Sequence, residues 1–244
     1  MAEWFENFAD TFRLNFVEGE RWRWLIQGLK NTLVITFFAV LMGIVIGIVV
    51  ASIRSAYDMN KEVFQKRSGF FYRLMQFLNF LCTVYLTVIR GTPVVVQLLI
   101  AYFVIFASSK NDMLVAIIAF GINSGAYVAE IFRSGIMAID TGQFEAGRSM
   151  GFNYLQTMRY IIIPQMFKIV LPMLCNEFIV LLKETSVAGY VGTMDLTKAG
   201  DLIRGRTFSA FMPLIAVALI YLSLVVVLTR LAGLLERRLR RNER

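Results

Sequence analysis

Along this chain, apolar residues gather into blocks separated by short polar links. Five blocks reach the length needed to cross a bilayer, about 20 residues each: roughly 26–53, 86–107, 113–135, 164–184 and 211–232. The greasy stretch from Phe70 to Phe106 is too long for one straight crossing. Pro93 lies inside it, and the residue before a proline resists helical dihedrals. The pattern therefore predicts an interfacial lead-in over 70–85, a break at Pro93, and a crossing that contains "IRGTPVVVQLLIAYF".

One passage breaks the apolar rhythm. In "QFEAGRSMGFNYLQTMRYIIIPQ", from Gln143 to Gln165, the residues Met150, Tyr154, Leu155, Met158, Ile161 and Ile162 fall on a helical stripe. Arg148, Asn153, Gln156 and Arg159 take the other side. Gly147 and Gly151 permit a close backbone approach or a turn between two short helices. Glu145 near a helix start is favoured by the dipole. Pro164 suits the first turn of the next helix, where its missing N–H costs little. Periodicity alone equally suits an amphipathic helix lying on the lipid surface.

Composition agrees with the blocks. The 244 residues are 57% hydrophobic and 17% charged, with a mean hydropathy of +0.63. Soluble domains run about 45–50% apolar and about 25% charged. The expected fold is an all-α integral membrane protein with about five transmembrane helices and one cytoplasmic insert.

The net charge of +8 does not point to nucleic acid, because basic residues collect on the cytoplasmic loops of membrane proteins. Arg54, Lys61, Lys66, Arg67 and Arg73 follow the first block. Arg133, Arg148, Arg159 and Lys168 flank the insert, and Arg230, Arg237, Arg238, Arg240, Arg241 and Arg244 crowd the C-terminus. The first thirty residues hold five acids against four bases. This asymmetry predicts an N-terminus outside, a C-terminus in the cytoplasm and a cytoplasmic insert. The expected organisation is an extracytoplasmic segment over 1–25, one membrane domain over 26–235 and a basic cytoplasmic tail over 236–244. The acidic, aromatic N-terminus is unlike a secretory signal, so the first block is expected to be a retained helix.

The chain has no histidine, and Cys82 and Cys175 lie singly in apolar segments, so neither a metal site nor a disulfide is expected. An intramembrane enzyme would need a nucleophile–base or metal constellation that these residues do not supply.

The insert resembles the cytoplasmic loop of permease subunits of binding-protein-dependent ABC importers. That pattern is EAA, a glycine four residues after the second alanine, nine residues, then I-x-L-P. Here Glu145, Ala146, Gly147, Gly151, Ile161, Ile163 and Pro164 stand at those positions. Gly147 replaces the second alanine and Ile163 the leucine. Beyond the insert, "RGTPVVVQLLIAYF", "GAYVAEIFRSGI" and "LPMLCNEFIVLLKETSV" look like the polar amino-acid uptake branch of that family. The resemblance implies a type I importer permease whose insert forms coupling helices docked on an ATPase. It implies two ATPase subunits, a second permease copy or a similar subunit, an extracytoplasmic binding protein and an amino-acid substrate. No G-x-x-x-x-G-K-[ST] loop occurs, so the chain is expected to hydrolyse no ATP, with ATP and Mg²⁺ held by the partner.

Charges inside a membrane are costly and often functional. Glu177 is expected about 20 Å into the fourth span, at 1.5 Å per residue. It shares a face with Glu184; Asn176 and Lys183 align on the next. These four are substrate-site candidates, the alternative for Glu177 being a hydrogen-bonded helix pair. Arg90, Thr92, Pro93, Gln97 and Glu130 are structural or pathway candidates. Arg90 reads as an interfacial snorkeller, and Glu130 as the partner of Arg133 one turn on. The outer loop "TSVAGYVGTMDLTKAGDLIRGRTFSA" is long enough for a short helix. It suits a plain connector, a gate or a partner's seat. A competing function is a secondary transporter or channel, which would need carboxylates at broken helices and often an inverted repeat.

Overall fold

The computed structural model describes residues 8–66 and 69–241, without the side chains of 60–66, 240 and 241. Arg67 and Arg244, counted above for orientation, lie outside the described residues, as do 1–7 of the N-terminal segment. No strand occurs among the described residues.

The helices are α1 (Trp22–Lys66), α2 (Phe70–Gly91), α3 (Val94–Ile100), α4 (Asp112–Met137), α5 (Thr141–Ser149), α6 (Tyr154–Thr157), α7 (Ile163–Glu184), α8 (Leu196–Thr207) and α9 (Phe211–Arg241). Among the described residues, five stretches are long and apolar enough to cross a membrane: Trp22–Met59, Phe70–Gly91, Asp112–Met137, Tyr154–Val191 and Phe211–Leu239. The first helix has 45 residues, about 68 Å at 1.5 Å per residue, roughly twice a hydrocarbon core. Apolar pattern marks only the part of a helix that lipid must solvate, so the expected 26–53 falls short at both ends.

The second crossing corrects the expectation. The chain does break at Thr92–Pro93, but the piece of spanning length is α2, before the proline. Beyond the proline come only the seven-residue α3 and a π-helical turn, Ala101–Ile105. Residues 70–85 therefore belong to one helix of spanning length that continues to Gly91, and the expected crossing over 86–107 is its end plus a short second piece. Proline fixes where a helix stops, not which side carries the length.

The chain forms two compact units, 1–39 with 94–120 and 179–230, and 40–93 with 121–178 and 231–244. In the first, α8 is seated on the start of α1. Asn31 Nδ2 donates to the Met194 carbonyl (2.8 Å), and the Leu196 amide donates to Thr32 Oγ1 (3.1 Å). A Cβ on Gly28 would meet the Asp195 carbonyl oxygen at 2.5 Å, so this approach needs glycine. Asp195 is fully buried and caps α8, accepting from the Lys198 and Gly189 amides. Burial pushes its carboxyl up to about 6, against the backbone donors that favour the anion. The N-terminal segment is tied in by buried Asn15, which donates to Ser209 Oγ and accepts from Thr207 Oγ1.

In the second unit, α1 and α4 approach closely through small residues. A Cβ on Gly43 would lie 2.9 Å from Ser124 Oγ, and one on Gly47 would lie 2.5 Å from Val128 Cγ1. On the facing helix, Gly121 meets Met42 and Gly125 meets Ile46 and Tyr85. Two glycine pairs at i, i+4, each opposite a side chain of the other helix, are how membrane helices gain packing without a hydrophobic drive. Tyr85 on α2 locks in by donating to the Ile122 carbonyl, 2.6 Å away.

Candidate functional site

The insert is built from its caps outward. Asp140 opens α5 by accepting from the Gly142 amide. Asn153 opens α6 with a reciprocal box: Asn153 Oδ1 accepts from the Gln156 amide and Gln156 Oε1 from the Asn153 amide, both at 2.9 Å. Sequence reasoning missed this box, although the N-x-x-Q spacing was legible. Between the helices Gly151 takes φ +79°, the left-handed region that glycine enters freely. Gly147 is buried, its Cα against Thr157. Gly151 thus makes the turn expected of one of the two glycines, while Gly147 makes room for the Thr157 side chain.

The second short helix does not stand alone. From Tyr154 the chain runs through a π-helical turn, Met158–Ile162, directly into α7. Pro164 is the second residue of α7, in a helix already under way. The amphipathic stripe divides accordingly. Phe144 and Ile162 are buried with Ile139, and Met158 and Ile161 pack against them. Met150, Leu155 and Tyr160 point outward, 62%, 75% and 62% exposed. Glu145, Ala146, Ile163 and Pro164 are exposed beside them.

A second feature lies within the same unit: a cavity of about 450 Å³. Arg90 from α2 lines it together with Tyr127, Glu130, Ile131 and Ser134 from α4 and Pro172, Met173, Asn176 and Glu177 from α7. Glu177 is buried and accepts from Ser124 Oγ at 2.9 Å. Glu130 accepts from both Arg133 Nη2 (2.9 Å) and Nε (3.5 Å), and Arg133 reaches Asp58 at 3.5 Å. Arg90 stands 3.8 Å from Glu130, with its guanidinium 5.8 Å from the Tyr127 ring centroid.

Four sequence candidates, Arg90, Glu130, Asn176 and Glu177, therefore converge on one cavity. Arg90, expected near the start of a span, closes α2 instead and lines this cavity. Lys183 is exposed and Glu184 half-buried, and neither lines the cavity. Thr92 is exposed at the break, donating to the Val88 carbonyl; Pro93 starts the next turn, and Gln97 sits on α3. Sequence reasoning missed Tyr127 and Ser134. Their spacing from Glu130, at i−3 and i+4, puts all three on one helix face and was the available signal.

Residues 43–241 match the family described as the binding-protein-dependent transport system inner membrane component. The chain is 34% identical to the glutamine transport system permease protein GlnP of Escherichia coli over 221 residues, 88% of this chain and 93% of that one. It is 33% identical to the arginine transport system permease protein ArtQ of Bacillus subtilis over 222 residues, 90% and 94% of the two chains. A crystal structure of an amino acid ABC transporter with histidines superposes with a TM-score of 0.77 at 38% identity, covering 91% of this chain and 97% of that one.

Proposed function

The chain belongs to the family of binding-protein-dependent transport system inner membrane components, and we propose that it is the permease through which a polar amino acid enters the cell, driven by separate ATPase subunits. The amino-acid reading is supported by the names of its relatives, which transport glutamine and arginine.

The observation that carries the coupling is the outward face of the insert. Met150, Leu155 and Tyr160 are large, apolar and exposed at the end of a polar loop, flanked by Glu145. Anchored hydrophobes on a capped scaffold suit a protein groove. Two ATPase subunits, each holding its own ATP and Mg²⁺, would receive one such insert from each of two permease chains. The second permease is another copy or a similar subunit, since five helices enclose little room for a solute. Glu145, Ala146, Gly147, Gly151, Ile161, Ile163 and Pro164 form and aim this element. Basic-residue asymmetry supports an insert and C-terminus in the cytoplasm, with the N-terminus and the 185–210 stretch facing the binding protein.

The cavity lined by Glu177 supports the substrate half. The Glu177 carboxylate, buried and oriented by Ser124, is an acceptor of the kind that suits an ammonium group. Lys183 and Glu184 lie apart from that cavity and are left out of the substrate site.

Leu155→Glu tests the docking face, because that side chain is exposed and supports no fold. The ATPase subunits should no longer co-purify, while the permease inserts normally. Retained binding with normal substrate-stimulated hydrolysis would defeat the docking reading. Glu177→Gln tests the substrate half: uptake should fall with the complex intact, and failure to assemble would assign Glu177 to helix packing.

A further inference from the structure

We infer that Arg90 and Glu177 form the two ends of a clamp for a zwitterion, with Arg90 taking the α-carboxylate and Glu177 the α-ammonium of an amino acid whose side chain is neutral. This rests on the substrate reading of the cavity given above.

The charges around the cavity differ in how firmly they are engaged. Glu130 is held by Arg133 through two guanidinium nitrogens, the fork geometry that satisfies a carboxylate best. Arg90 lies 3.8 Å from Glu130, beyond hydrogen-bond length, and its side chain is 44% exposed toward the space it lines. Its planar donors can therefore turn to a ligand carboxylate in exchange for this longer ion pair, since Glu130 keeps the shorter hydrogen bonds from Arg133. The Tyr127 ring beneath the guanidinium restricts where it can point. Glu177 is fixed differently, buried and oriented by Ser124. Arg90 and Glu177 thus line the same volume as Glu130, which Arg133 holds, and each is oriented by a neighbour other than its opposite number.

Charge balance then speaks to the side chain. Arg90 and Arg133, with Arg54 near enough for its charge to act on Glu130, stand against Asp58, Glu130 and Glu177. Three positive and three negative groups leave no net charge for a ligand to cancel. A cationic side chain would bring a charge with no partner, which is costly away from water. Asn176 and Ser134 offer neutral donors and acceptors, suited to a carboxamide or hydroxyl. A volume of about 450 Å³ is within the usual range for small-molecule sites.

The test uses the complete transporter, permease with its ATPase subunits, in nanodiscs without the binding protein, so that only the permease selects. The probes are L-glutamine, its decarboxylated analogue 4-aminobutanamide, and L-arginine. The wild type should bind glutamine about a hundredfold more tightly than 4-aminobutanamide, since a site built for a carboxylate rejects a ligand that lacks one. In Arg90→Gln the two should bind within about threefold of each other, because only glutamine weakens. Arg90→Lys should keep glutamine within about tenfold, a point charge replacing a fork. Arginine should bind more weakly than glutamine throughout.

An Arg90→Gln protein that keeps the wild-type discrimination, or weakens both ligands alike, overturns the clamp. Arginine outcompeting glutamine overturns the neutral side chain. The underlying substrate reading fails separately, if Glu177→Gln leaves the affinity of glutamine and of 4-aminobutanamide unchanged.

Discussion

Gly147 and Thr157 meet so closely that a Cβ on residue 147 would lie 2.7 Å from both Cγ2 and Oγ1 of the threonine. The family pattern carries alanine at this position. Thr157 is buried, and it fills the space that an alanine methyl would take. Gly147→Ala should destabilise the insert by about 1–3 kcal/mol, the usual cost of overpacking. Thr157→Ala, which removes both atoms at 2.7 Å, should restore it in the double variant. The melting temperature of the permease and its ATPase co-purification would measure both steps. Additive losses in the double variant would show that the two residues are not coupled through this contact.

Gly151 turns the chain at φ +79° with no atom within 4 Å of a built Cβ. The penalty for another residue is therefore conformational, about 1–2 kcal/mol, and not steric crowding within the chain. Gly151→Asn should be tolerated better than Gly151→Val, since asparagine visits this region and a β-branched residue does not. Gly151→Asp should also impair coupling by placing a charge at the docking tip. Substrate-stimulated hydrolysis in proteoliposomes would rank the three, and equal activity for all would remove the turn from the coupling element.

Asp195 supplies a pH dependence with a defined sign. Its buried carboxyl titrates at about 6, above the ordinary 3.8, so the folded state binds the proton more tightly than the unfolded chain. Stability from this group is fully present below about 3.8 and declines as pH rises toward 6. Asp195→Asn keeps an oxygen for the Lys198 amide but turns an NH2 toward the Gly189 amide, so it should flatten that decline while lowering the melting temperature overall. Thermal denaturation of both proteins between about pH 4 and 7.5 would reveal it. Parallel profiles would show that another group dominates this window.

Topology yields to reporters. A fusion at Lys110, in the short link before α4, should read outside, and one after Arg244 should read inside. Two signals from the same side would contradict an odd number of crossings.

Some of this molecule is written in one dimension. Spanning stretches are legible because lipid asks each helix to be apolar over a fixed length, whatever its neighbours. The insert was legible for a similar reason: a local stripe, a glycine turn and a spaced pattern belong to one segment. Pro93 marked a break correctly, since its ring forbids helical continuity, but no local rule says how much helix lies on either side.

Tertiary structure alone decided the cavity. Arg90, Glu130 and Glu177 come from three helices, and nothing within any one of them says that they will share a space. They converge where Gly43 and Gly47 bring α1 against α4 and where Ser124, beside Gly43, also holds Glu177. The same is true of Asp195, whose burial depends on Gly28, Asn31 and Thr32, far earlier in the chain. Periodicity reports which face of a helix is apolar. It cannot report which polar residues on separate helices will meet, because that depends on the distance at which backbones pack, set here by the absence of a side chain.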